Sequence, residues 1–174
     1  GIMVTGSHNP SDDNGLKLTL KEIPFFGQQI QDLKKVIPVK SQILGSLEFI
    51  DVREQYIDRL LIDCPKQPLK KLKIVWDCGN GASGEIIVLL TERLDNHCIL
   101  LNTTTDGTFP AHHPDPTVEE NLTQLRDEVN SHYCDIGIAF DGDGDRIGVI
   151  DGQGRILWGD QLLCLLAEDV LRHN

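Results

Sequence analysis

From Leu72 to Phe140, short apolar runs alternate with longer amphipathic ones, and this restricts the fold more than any other feature of the chain. Lys73 to Trp76 is short, apolar and β-branched, as a buried strand is. The glycine-rich turn Asp77-Cys78-Gly79-Asn80-Gly81-Ala82-Ser83-Gly84 follows, and Glu85 to Leu94 reads as a helix. His97 to Leu101 reads as a second strand. Thr117 to Ser131 reads as a second helix, with Thr117-Val118-Glu119-Glu120 as a capping box. Asp135 to Phe140 reads as a third strand. Such alternation predicts an α/β fold, a three-layer αβα domain on a mainly parallel mixed sheet. Ligands of these sheets sit beyond the carboxyl ends of the strands. The glycine turn after Trp76 and an acidic run after Phe140 both fall at such ends.

The flanking segments are less regular. Ile2 to Val4 looks like the end of a strand that breaks at Gly6. Asn14-Gly15 is a turn signal, and Leu16 to Leu20 alternates as a strand does. Gln28 to Val36 predicts a short amphipathic helix stopped by Pro38. Ser46 to Ile62 has helical spacing and reads as a linker helix, closed by Pro65 and Pro68. Asp151-Gly152-Gln153-Gly154 between Ile147–Ile150 and Arg155–Leu157 is a hairpin signal. Gly159 to Arg172 predicts a final amphipathic helix.

The 174 residues carry a net charge of −11, with 40% hydrophobic and 25% charged residues. That balance suits a soluble globular protein and argues against nucleic acid, whose phosphates need clustered Lys and Arg. An acidic chain can still bind a phosphorylated small molecule if a metal ion or a few cations offset the repulsion. Cys64, Cys78, Cys98, Cys134 and Cys164 are odd in number and widely spaced, the pattern of reduced thiols in a cytoplasmic protein. No apolar run reaches the roughly 18 residues of a membrane span, so no membrane contact is expected, and no obligate protein partner is evident. The opening Gly1-Ile2-Met3 suggests that residues are missing upstream.

Two runs carry chemistry. In Asp141-Gly142-Asp143-Gly144-Asp145-Arg146, residues i, i+2 and i+4 of an extended backbone point the same way, so three carboxylates converge on one point. They repel one another unless a cation sits between them, and all-oxygen ligands suit Mg²⁺, Mn²⁺ or Ca²⁺ over zinc. An EF-hand fails, because Arg146 and Gly152 stand where the loop needs Gly and Glu. A solvated acidic turn is the plain alternative. Arg146 beside this loop suits a ligand phosphate or a structural ion pair equally well.

The second run is Thr5-Gly6-Ser7-His8-Asn9-Pro10. Ser7 offers a hydroxyl that needs activation, although Asn and Pro also mark ordinary turns. A Ser-His-Asp hydrolase fits poorly, since no G-x-S-x-G elbow is present. Gly79-Asn80-Gly81 precedes a helix and could expose amides to a phosphate, but close helix–strand packing is the simpler reading. His112 and His113 in their proline-rich loop lack a recognisable ligand spacing and read as loop packing.

Thr5 to Pro10, followed by Asn14-Gly15-Leu16-Lys17, resembles the active-serine segment of the α-D-phosphohexomutases. The resemblance continues through Asp77 to Ala82, Phe109-Pro110, His112 to Pro116, Glu120-Asn121-Leu122 and Asp141 to Arg146. In order and spacing it covers essentially the whole chain and points to the bacterial phosphomannomutase/phosphoglucomutase branch.

The resemblance implies roles. Ser7 matches the phosphoserine that exchanges its phosphoryl group with a hexose phosphate through a bisphosphate. Asp141, Asp143 and Asp145 match Mg²⁺ ligands, with a phosphate oxygen on Ser7 completing the shell. Lys17 matches a general acid/base, whose amine could serve if a nearby Mg²⁺ and Arg146 lower its pKa. His8 and Asn9 match residues that shape the serine loop, His8 as a catalytic and Asn9 as a substrate-binding group. Arg146 matches an active-site arginine that serves both purposes. Glucose 1,6-bisphosphate or mannose 1,6-bisphosphate would be the activator and a phosphorylated hexose the substrate. Family members have four domains. Residues 1–53 would be the end of the first, a partial domain of the same type at the N-terminus, 54–158 the second, and 159–174 the opening helix of the third. The chain is therefore expected to be a fragment that does not turn over alone. Phosphoglucosamine mutase, or a non-catalytic divalent-cation-binding fragment, are the competing readings.

Overall fold

The computed structural model describes residues 1–7, 9–37, 45–62, 64 and 71–173, the last by its backbone only. Its centre is a five-stranded sheet of β4 (Lys73–Asp77), β5 (His97–Leu101), β6 (Ile136–Phe140), β7 (Ile147–Asp151) and β8 (Ile156–Leu157). The strand order is β5-β4-β6-β7-β8. The pairings of β4 with β5 and β6 are parallel, and those of β7 with β6 and β8 are antiparallel. The sheet is thus mixed, with a parallel half built by helical crossovers and an antiparallel half built by hairpins.

Alternation along the strands sends side chains to two faces. On one face Val75, Ala139 and Ile150 are buried with Leu122, Leu125, Val129 and Cys134. Leu125 and Val129 come from α4 (Thr123–Ser131). That helix lies so close that a Cβ at Gly137 would stand 2.7 Å from Val129 Cγ2. On the other face Trp76 stacks on Phe140, with ring centroids 6.0 Å apart. There Ile57 of α2 (Arg53–Leu61) and Ile87 of α3 (Gly84–Arg93) are buried. Helices on both faces complete the three layers.

Two helix starts differ from expectation. The linker helix begins at Arg53, not Ser46, because Asp51 Oδ1 accepts the Arg53 backbone N–H at 3.0 Å. Phe49 and Ile50, which gave the longer helical spacing, find nothing to bury them and are exposed. The capping box at Thr117 is also absent. Thr117 donates its hydroxyl to Asp115 Oδ1 at 2.7 Å, and a 3-10 turn over Glu119–Leu122 precedes α4. An Asx turn has captured the hydroxyl that would have capped the helix.

The N-terminal segment forms an antiparallel sheet of β1 (Ile2–Val4), β2 (Leu16–Leu20) and β3 (Ile23–Phe25), followed by α1 (Gln28–Asp32) and a 3-10 turn, Leu33–Lys35. Proline hid β3 from sequence reading, and Pro24 is tolerated because β3 is an edge strand. Pro38, Pro65 and Pro68, expected to stop helices, lie outside the described residues. Helix α5 (Gly159–His173) ends the chain. Among the described residues no helix is long and apolar enough to cross a membrane.

Candidate active site

The acidic loop is the hairpin connection between β6 and β7, beyond the carboxyl end of β6. Its ends are closed by Asp141 N–H donating to Arg146 O at 3.2 Å, and Gly144 turns the chain at φ 74°. The backbone is therefore a tight loop, and the expected convergence along an extended strand is replaced by curling. The outcome for the side chains is the same. One carboxylate oxygen from each of Asp141, Asp143 and Asp145 lies within 4.8 Å of the others. Asp141 is fully buried, Asp143 half-buried and Asp145 exposed, so the cluster opens in one direction.

The serine loop closes on that opening. Ser7 Oγ lies 3.2 Å from Asp141 Oδ2 and 3.2 Å from Asp143 Oδ1, across sequence separations of 134 and 136 residues. One hydroxyl proton faces two acceptors. Ser7 adopts φ 52°, unusual for a residue with a side chain. Its N–H donates to Thr5 Oγ1 at 2.9 Å, and Thr5 donates that hydroxyl to Asp143 Oδ2 at 2.7 Å. The loops touch through backbone as well, because a Cβ at Gly142 would fall 2.1 Å from Ser7 O. Only glycine permits that approach.

Cations flank the carboxylates. Lys17 Nζ, from β2, is 3.4 Å from both Asp143 Oδ2 and Asp145 Oδ2. Asp143, foremost by its charge, raises the Lys17 pKa above its ordinary value. Burial pulls the Asp143 pKa up, but bonds from Thr5 and Ser7 and the charge of Lys17 outweigh it, and the net shift is downward. Arg146 Nε donates to Asp141 Oδ2 at 3.1 Å, and its Nη1 lies 3.8 Å from Asp115 Oδ1. Its buried Nη2 has no hydrogen-bond partner among the described residues.

A cleft of about 510 Å³ opens over Ser7, bordered by Asn9, Asn80, Thr105, Phe109 and Asp143. Six of the eight expected site residues thus meet around the loop: Ser7, Lys17, Asp141, Asp143, Asp145 and Arg146. Asn9 stands on the cleft wall with its N–H on Gly6 O at 3.0 Å, and His8 lies outside the described residues. The glycine turn offers no exposed anion cradle, since the N–H groups of Gly79, Asn80, Gly81 and Ala82 all donate internally. Burial pushes the Cys78 thiol in that turn up to about 12, and the five cysteines are free thiols.

Sequence reasoning missed Thr5, Asp115 and Asp77. Thr5 stands two residues before Ser7, the spacing at which a hydroxyl accepts a backbone N–H. Asp115 was hidden by its Asx turn. Asp77 is a charged residue ending an otherwise apolar strand, a signal that it has buried partners.

A family model described as phosphoglucomutase/phosphomannomutase, α/β/α domain II, matches residues 54–154, and one for α/β/α domain I matches residues 1–42. The chain is 44% identical to a phosphomannomutase/phosphoglucomutase of Pseudomonas putida, over all of this chain and 38% of that protein. It is 38% identical to a phosphoglucomutase of Neisseria meningitidis, over all of this chain and again 38% of the relative. The crystal structure of a phosphoglucomutase/phosphomannomutase family protein from Burkholderia thailandensis superposes with a TM-score of 0.88 at 42% identity, covering 99% of this chain and 38% of that one. The chain therefore spans little more than a third of the length of these relatives, and by sequence and fold it belongs to the phosphoglucomutase/phosphomannomutase family.

Proposed function

We propose that this chain is the serine-and-metal portion of a phosphohexomutase that interconverts hexose 6-phosphate and hexose 1-phosphate through a bisphosphate. The observation that carries this reading is Ser7 Oγ within 3.2 Å of both Asp141 and Asp143. A serine held against two carboxylates is a poor resting place for a phosphate unless a cation is shared between them. The donor set fits a hard divalent ion such as Mg²⁺: Asp141, Asp143 and Asp145 supply oxygens only, and with Lys17 and Arg146 opposed to them a net negative charge is left. Such an ion supplies a Lewis acid that neutralises charge on the transferred phosphoryl group.

The chain's own residues do the rest. In the first half-reaction the P–O bond to Ser7 Oγ breaks, a P–O bond forms to the free sugar hydroxyl, and that hydroxyl's proton passes to a base. In the second half the other phosphoryl group of the bisphosphate returns to Ser7, and the sugar oxygen it leaves takes the proton back. Lys17 is placed beside the loop to hold that proton. Kept protonated by Asp143 and Asp145, it is ready as the acid; once those carboxylates are otherwise neutralised, its pKa falls toward that of a base. Arg146 Nη2, buried and unpartnered among the described residues, offers donors to a phosphate oxygen. Phosphoryl transfer depends chiefly on such positioning and charge neutralisation.

Incubation of the chain with glucose 1,6-bisphosphate and Mg²⁺, read by intact mass and peptide mapping, tests this. One phosphoryl group is expected on Ser7, and none on Ser7→Ala. A folded chain that binds Mn²⁺ and gains no phosphoryl group overturns the catalytic reading and leaves a cation-binding module. A coupled assay from glucose 1-phosphate should show no steady turnover, because the chain covers only 38% of its relatives. Sustained product formation would refute that part.

A further inference from the structure

Asp77 is fully buried at the end of β4, and the proposed mechanism does not use it. Its Oδ1 accepts the Gly79 N–H at 3.0 Å and Asn102 Nδ2 at 2.8 Å, and its Oδ2 lies 2.8 Å from His112 Nε2. The other ring nitrogen of His112, Nδ1, is 3.0 Å from the His113 carbonyl oxygen. A carboxylate and a carbonyl are both acceptors, so the doubly protonated ring is the form that donates to both. The buried Asp77 and the protonated form of His112 have every close partner satisfied, the condition under which such a pair holds its geometry.

This pair closes the loop that follows His112 onto two others. A Cβ at Gly79 would meet Pro114 Cβ at 3.1 Å and His112 Cε1 at 3.5 Å, so the loop lies directly on the glycine turn. The fully buried Pro114 also reaches the acidic loop, its Cγ standing 3.6 Å from where a Cβ of Gly142 would be. Gly142 O also accepts the Ala82 N–H at 2.9 Å. Gly142, the residue between two of the three clustered carboxylates, is therefore seated between Pro114 and the glycine turn, and Asp77–His112 joins those two supports.

We propose that the Asp77–His112 pair is a positioning device for the acidic loop: by locking the His112–Pro116 segment to the glycine turn it fixes Gly142, and with it the spacing of Asp141 and Asp143. The inference rests on the cation-site reading above. His112 touches no clustered carboxylate, so its action is through Pro114.

The test uses the 174-residue chain, MnCl₂ as the probe and electron paramagnetic resonance to count free Mn²⁺, well below the melting transition of each variant. His112→Leu should weaken Mn²⁺ binding by about tenfold or more, the range for partners that orient a metal's ligands. His112→Gln, whose amide can still donate to Asp77, should stay near the parent value. Hydrogen exchange at Ala82 and Gly144, whose amides bond Gly142 O and Asp141 O, should accelerate in His112→Leu while Ile138 in mid-sheet stays protected. A folded His112→Leu chain that binds Mn²⁺ as tightly as the parent overturns the proposal. Should that variant not fold, Asp77→Asn is read in its place, with weakened binding in support and unchanged binding against. Should the parent bind no Mn²⁺, the cation reading fails by itself. Exchange at Ala82 and Gly144 then decides the positioning claim, and unchanged rates in the variant refute it.

Discussion

In the five-stranded sheet Val75 and Ile150 are fully buried; in the three-stranded sheet Ile2 and Val4 are 69% and 71% exposed. The two sheets use similar residues, short runs of Ile, Val and Leu in alternating backbone. The difference is what covers them. The larger sheet has α2 and α3 on one face and α4 on the other, whereas the described residues place no helix over either face of β1–β3. Consecutive Ile2, Met3 and Val4 are all exposed, so both faces are open. A small sheet without a covered apolar face is marginal. The N-terminal segment is attached to the domain chiefly through polar groups at its loops: Thr5, Ser7 and Lys17 on Asp143, and Ser7 on Asp141. The comparison teaches that the serine and the carboxylates, though within 3.2 Å, are held with very different firmness.

Amide hydrogen exchange should show the largest contrast. Amides of β4 and β6 should exchange only through global opening, at a cost of about 5 kcal/mol or more, and those of β1 and β2 through nearly free local opening. The expected ratio of protection is about a thousandfold or more, and equal protection in the two sheets would break the comparison. Core truncation should follow the same division. Leu125→Ala, in the α4 face of the core, should cost about 2–5 kcal/mol, measured by urea unfolding of the whole domain. Leu16→Ala, on β2, should change the same transition by no more than about 0.5 kcal/mol.

The same contrast explains what could be read from the sequence. The strands from Lys73 to Leu157 and helix α3 were legible because each buries the face that its periodicity advertises. The helix expected from Ser46 was overestimated because Phe49 and Ile50 have the spacing of a buried stripe and no surface to bury it on. The acidic loop was legible as chemistry, since three aspartates separated by glycines crowd together in a curled loop as they would along a strand. The contacts that join it to Ser7 and to the His112–Pro116 segment span more than a hundred residues or pass through a proline, and no local pattern encodes them. Lys17 was legible only through the motif that contains it, because no local pattern brings a strand lysine against carboxylates 126 and 128 residues away.

Gly142→Ala should sharpen the distinction between the two regions. The new Cβ would press into Ser7 O at 2.1 Å, a backbone atom that yields only if one loop moves. The cost of such a clash is about 1–3 kcal/mol, and the loosely held partner should absorb it. Limited proteolysis or exchange should then show residues 1–20 released while the unfolding midpoint of the domain barely changes. A lowered domain midpoint with an unmoved N-terminal segment would mean that the serine loop is the firmer of the two.

The smallest expected effect concerns pH and the firm half alone. The bond to Asp77, ahead of its charge and the His113 carbonyl, raises the His112 pKa above 6.5, although burial opposes the shift. A histidine whose folded pKa is raised binds its proton more tightly in the folded state. Its contribution is complete below about pH 6.5 and declines as pH rises through the folded pKa. Domain stability should therefore fall modestly as pH rises above about 6.5 in the parent chain, and this slope should vanish in His112→Gln. The exposed N-terminal sheet has no such pair, so exchange in β1 and β2, corrected for its intrinsic dependence on pH, should not follow it. A slope that survives in His112→Gln would assign the titration to another group.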